Sequence, residues 1–169
     1  KGNILFENVN GRFENISKKA DVQFTGFGLG GICADINRDG LTDIYVANDF
    51  IEPDLLYINN GNKTFTESAD KFFTHMSQNS MCCDMADINN DGLLDLVVTD
   101  MLAQENLRQK VFDTNMKLIR YERLRDQGYG KQMMRNTLQV ANEKGGFSEI
   151  GQLAGIEKTD WSWSPLFGD

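Results

Sequence analysis

Two nine-residue stretches carry the chemistry of this chain. Asp35, Asn37, Asp39 and Asp43 stand at positions 1, 3, 5 and 9 of the first, with Gly40 at position 6. Asp87, Asn89, Asp91 and Asp95 repeat that spacing in the second, with Gly92 at its turn. The seventh residues, Leu41 and Leu93, can each add a backbone carbonyl. A hard cation such as Ca2+ takes about six to eight oxygen ligands at roughly 2.3–2.6 Å, and a loop of this pattern can wrap such donors round one point. Three carboxylates held about 5 Å apart repel by roughly 3 kcal/mol per pair at an effective dielectric of about 20. A compact loop of this composition therefore calls for a cation at its centre.

The opening of each loop is shared with the EF-hand, but the rest is not. An EF-hand closes with a bidentate Glu at its twelfth position and has a helix on either side. Here the twelfth residues are Val46 and Val98, inside the short apolar runs Ile44–Asn48 and Leu96–Asp100, which read as strands. Asp43 and Asp95 are then left as the closing ligands.

The elements that must position these loops recur with them. Phe13, Phe65 and Phe147 each lie 22 residues before Asp35, Asp87 and Asp169. Asn8, Asn60 and Asn142 precede those aromatics, as do Ile4, Leu56 and Leu138, while Asn15, Glu67 and Glu149 follow them. Asp169 is thus expected to be the first ligand of a third loop. The offset is 52 residues between the first two copies and 82 between the next two, which places an insertion of 30 between Asp95 and Leu138. Periods near 50 residues with about four short strands each predict propeller blades. The expected fold is all-β: a partial β-propeller of about three four-stranded blades with Ca2+ loops, plus a helical insertion. Repeat units at about 1–48, 53–100 and 136–169 (the last incomplete) make residues 1–169 a fragment of one propeller domain, with the insertion at 102–135. The chain reads as a piece of a longer one, opening inside the strand-like run Ile4–Phe6 and stopping on a loop's first residue.

Gly26-Phe-Gly28-Leu-Gly-Gly31 formally matches a dinucleotide fingerprint, yet it runs into a metal loop rather than a helix, and only the smallness of its residues repeats. An inner strand beside a crowded axis is the expected role. Within the insertion Leu107, Val111, Leu118 and Tyr121 fall on one helical side, widened by Phe112, Met116 and Ile119, and basic residues are interspersed. The segment is predicted to lie as a helix on the propeller and to stop at Gly128-Tyr-Gly130. Cys33, Cys82 and Cys83 have neither disulfide nor zinc spacing and are expected as small core residues. The lone His75 has no partner visible in sequence and reads as structural.

Net charge is −8, with residues 102–135 at +4 (eight basic, four acidic). An acidic body argues against nucleic acid as a partner, and no apolar run approaches a membrane span.

The stretches Ala34–Gly40 with Asp43–Asn48, and Ala86–Gly92 with Asp95–Thr99, resemble the FG-GAP/VCBS repeat family, which builds integrin-α-type β-propellers and many secreted or cell-surface bacterial proteins, including those that carry an ASPIC/UnbV segment. The run Trp161–Asp169 is similar to the usual lead-in to a further loop. The resemblance implies a propeller fold and Ca2+ held by Asp35, Asn37, Asp39, the Leu41 carbonyl and Asp43, and by Asp87, Asn89, Asp91, the Leu93 carbonyl and Asp95. Asn at the third position lowers each ligand charge by one and moves the expected affinity toward the range of about 10⁻⁴–10⁻³ M seen in extracellular modules. A non-catalytic module follows: a scaffold presenting loops to a protein or glycan, at an extracellular, cell-surface or periplasmic location. The rest of its own propeller is a further partner. The alternatives are the propeller part of a polysaccharide-degrading, lyase-like enzyme using Arg135 and Tyr129, and a purely structural spacer.

Overall fold

The structure is a computed structural model that describes residues 2–112 and 118–168. It is mostly β, as expected. The N-terminal hairpin joins β1 (Phe6–Val9) to β2 (Arg12–Asn15). Its two-residue turn, Asn10-Gly11, has φ of 52° and 85°, the left-handed pair that suits the twist of adjacent strands.

Two four-stranded antiparallel sheets follow. The first runs in chain order through β3 (Phe27–Ala34), β4 (Asp43–Asp49), β5 (Leu55–Asn59) and β6 (Phe65–Glu67). A short helix α1 (Ala69–Phe72) and strand β7 (Met76–Ser77) lead to the second sheet. That sheet holds β8 (Cys82–Ala86), β9 (Asp95–Thr99), β11 (Thr137–Ala141) and β12 (Phe147–Glu149). Each sheet therefore combines the last strands of one sequence repeat with the first strands of the next, and none of the described sheets closes on itself. The insertion leaves after β9 as α2 (Asn106–Phe112) and α3 (Leu118–Asp126), then returns through β10 (Gln132–Met133), which pairs in parallel with β7.

Alternation along β4 places the first sheet between two cores. Tyr45 and Ala47 face the second sheet, sharing a cluster with Leu56, Phe73, Leu96, Val98 and Phe147. Ile44 and Val46 face the other way, toward Ala20, Val22, Leu55 and Tyr57. Burying each of the larger side chains contributes about 1.5–3 kcal/mol. The glycine-rich run is the inner strand β3, and its smallness has a cause: a Cβ on Gly30 would lie 3.0 Å from the Cys82 Cα of β8.

Two expectations need correction. Among the described residues the insertion is helical over α2 and α3, and most of its apolar side is exposed, with Tyr121 and Leu124 half-buried against Met133 and Met134. Leu107, Val111, Leu118 and Ile119 are all exposed, and α3 has no buried residue. Met116 and Lys117 lie outside the described residues. Among the cysteines only Cys83 is buried; Cys82 is half-buried and Cys33 exposed, because successive residues of a strand face opposite ways. In the lead-in Trp161–Gly168, which is outside the named strands, the Phe167 amide reaches Asp84 Oδ2 at 2.7 Å.

Candidate metal centres

Each nine-residue loop joins the first two strands of a four-stranded sheet: 35–43 between β3 and β4, 87–95 between β8 and β9. The chain turns on left-handed residues, Arg38 (φ 61°) with Gly40 (84°), and Asn90 (58°) with Gly92 (81°). Nothing lies within 4 Å of a Cβ built on Gly40 or Gly92, so glycine is required there by backbone conformation rather than by space.

Over positions 1, 3 and 5 the two loops repeat bond for bond. Asp35 Oδ1 accepts the Asp39 amide at 3.0 Å and Asp35 Oδ2 the Gly40 amide at 2.9 Å. Asp87 accepts from Asp91 and Gly92 at the same 3.0 and 2.9 Å. Asn37 Oδ1 shares the Asp39 amide at 3.0 Å, and Asn89 Oδ1 shares that of Asp91 at 3.1 Å. In both loops the asparagine Nδ2 donates to the fifth-position carboxylate at 2.9 Å. Asp39 and Asp91 in turn take the amides of Leu41 and Leu93 at 2.8 Å. The oxygens at positions 1 and 3 thus face a common amide, and positions 3 and 5 touch.

The ninth residues behave differently. Asp43 and Asp95 are fully buried. One oxygen of Asp43 accepts the Ile36 amide at 2.9 Å and the other the Asn59 amide at 2.8 Å. Asp95 does the same with Ile88 at 3.1 Å and Ala141 at 2.8 Å. Each carboxylate ties its loop to the third strand of its own sheet. Burial pushes the Asp95 carboxyl up; the amides of Ala141 and Ile88 oppose that, and the charges of Asp91 and Asp87 reinforce it.

The donor chemistry fits a hard divalent ion: three carboxylates, one amide oxygen and a backbone carbonyl in each loop. Among the described residues no three Asp, Glu, His or Cys side chains are drawn together as a finished cage. Asp169, the expected opening of a third loop, lies outside the described residues.

A second constellation was not legible in the sequence. His75 Nε2 lies 2.9 Å from Arg135 Nη2 and 3.1 Å from Glu149 Oε2, and Arg135 Nη2 is 3.2 Å from the same carboxylate oxygen. Glu149 Oε1 is occupied by the amides of Leu138 and Gly151, as Glu67 Oε1 is by those of Leu56 and Ala69. The repeated acid two residues after the aromatic was therefore the available signal; its partners were not. Burial pushes His75 below the usual histidine range, with Arg135 and Lys131 adding to the fall and Glu149 opposing it. Tyr129 contributes its backbone carbonyl to Gln132 Nε2 at 2.6 Å rather than joining Arg135.

Residues 35–98, from the first Asp of the first loop to the strand after the second, match the FG-GAP-like repeat family. No curated protein matches the chain. No helix among the described residues is long and apolar enough to cross a membrane.

Proposed function

We propose that this chain, an FG-GAP-like repeat over residues 35–98, serves as part of a calcium-stiffened β-propeller that binds or scaffolds rather than catalyses. Asp35, Asn37, Asp39, Asp43 and the Leu41 carbonyl hold one Ca2+; Asp87, Asn89, Asp91, Asp95 and the Leu93 carbonyl hold another. Each ion neutralises carboxylates that otherwise repel, and so lowers the cost of folding the loop. The observation that supports this reading is the bond-for-bond repetition of two oxygen-rich loops at the same joint of two sheets. Sites of modest affinity fill only where calcium is abundant, which argues for a cell-surface, secreted or periplasmic setting with a protein or glycan as partner.

Terbium luminescence titration and thermal melts test the reading together. Two ions are expected per chain, with melting lowered by EDTA and restored by millimolar Ca2+. Asp39→Ala and Asp91→Ala should each remove one ion. A melting temperature indifferent to both EDTA and Ca2+ would sink the proposal.

A further inference from the structure

The return of the insertion borders an open cavity of about 530 Å3 against α1 and β7. Its wall carries Lys71 from α1, Arg125 from the end of α3 and Lys131 just before β10, three cations brought together from three segments. Arg125 is held by Asp126 through Nε and Nη2 at 3.1 and 2.9 Å. Among the described residues Lys71 and Lys131 enter no salt bridge, and Asp70 is the single carboxylate lining the cavity. Both lysines are exposed and line one space.

His75 lines the same cavity, its side chain 13% exposed. Behind it the Arg135 cation is balanced by Glu149, so the floor carries no net charge of its own. Arg135 Nη2 can only donate, and the neutral tautomer that accepts it at Nε2 carries its proton on Nδ1. In that tautomer Glu149 Oε2, 3.1 Å from Nε2, takes its donor from Arg135 instead. The ring then offers a neutral donor beside two lysine charges. Donors that outnumber the one competing carboxylate, Asp70, in a space within the usual range of ligand pockets, suit an anion.

We propose that this cavity binds an oxyanion group, a carboxylate, sulfate or phosphate, either free or carried by an acidic sugar. Lys71 and Lys131 neutralise the group and the His75 Nδ1–H orients it. This inference does not rest on the calcium reading.

Calorimetric titration of the full chain at low salt tests it, run once in EDTA and once in Ca2+ so that the two proposals fail separately. The probes are sodium sulfate, sodium phosphate, glucuronic acid and a uronic-acid oligomer. A Lys71→Ala/Lys131→Ala double variant should weaken binding at least about tenfold. A Lys144→Ala/Lys158→Ala variant, with the same change in net charge, should not. Binding confined to the sugars assigns the acidic glycan, and binding of sulfate or phosphate as well assigns the free oxyanion; both support the site. Failure of the unmodified chain to bind any probe at millimolar concentration overturns it, as does an unchanged affinity in the Lys71/Lys131 variant.

Discussion

The two four-stranded sheets close their second-to-third strand connections with the same bond but with acid and amide exchanged. In the first sheet the Asn48 amide donates to Asp54 Oδ1 at 2.8 Å; in the second the Asp100 amide donates to Asn136 Oδ1 at 2.7 Å. The buried carboxylate moves from one seat to the other, and its donors move with it. Asp54 Oδ2 takes the Tyr45 hydroxyl at 2.5 Å and the Ser80 hydroxyl at 2.9 Å. The residue equivalent to Tyr45 in the second sheet is Val97, which has nothing to donate. There Asp100 is met instead by the Ser77 hydroxyl at 2.5 Å and by the amides of Gln78, Asn79 and Arg135. What the fold conserves between its sheets is a satisfied acceptor, since a buried carboxylate without donors is costly.

The largest expected effect separates the two acids. Burial raises the Asp54 carboxyl from 3.8 to about 7 against the pull of its three donors, and the charge of Asp100 adds to the rise. Between those pH values the folded chain holds a proton that the unfolded chain has released. Stability contributed by Asp54 is therefore complete below about pH 4 and is lost as pH rises toward about 7, by up to about 4 kcal/mol. Asp54→Asn should remove that slope. Asp100, also raised by burial, leaves a residual slope of the same sign in both proteins. Urea unfolding at several pH values would reveal it, and parallel profiles for Asp54→Asn and wild type would break the contrast.

The next effect concerns what the sheets share. Asp43→Ala strips the acceptor from the part-buried amides of Ile36 and Asn59 and from a longer bond of Asn37, and Asp95→Ala from those of Ile88 and Ala141, at a cost of about 3 kcal/mol each. The two losses should agree within about 0.5 kcal/mol when measured by chemical denaturation without added metal. A clear inequality would show that loops alike in bonding differ in weight.

The smallest effect tests where the sheets meet. Gly30→Ala places a Cβ 3.0 Å from the Cys82 Cα and 3.1 Å from its Sγ, and should destabilise by about 1–2 kcal/mol. Gly31→Ala meets only the Tyr45 carbonyl oxygen at 3.5 Å and should be near neutral. Equal melting temperatures for the two variants would mean that the first sheet gives way at this contact.

The loops, the repeat spacing and the strand character of their flanks were legible because each rests on local chemistry: oxygen spacing, a glycine at positive φ, alternation along a strand. Phe65, Phe147, Glu67 and Glu149 announced themselves by recurrence, and each lies on its sheet's last strand. The second duty of Glu149 was hidden, because His75 and Arg135 come from the link before the second sheet and from the end of the insertion. Sequence spacing carries no trace of such meetings. The insertion misled for a related reason. Its apolar residues satisfy a helical period, but period alone does not say whether a surface exists to receive them, and Leu107, Leu118 and Ile119 face outward.

The bond between Asp100 and Asn136 has one more consequence. Residues 101–135 leave and re-enter the second sheet at two residues joined across 2.7 Å, where the first sheet makes the same crossing with residues 49–53. Lengthening such a crossing about sevenfold adds only about 1.7 kcal/mol of closure entropy. The joint works as a socket: the crossing can grow while the two residues that flank it keep their bond.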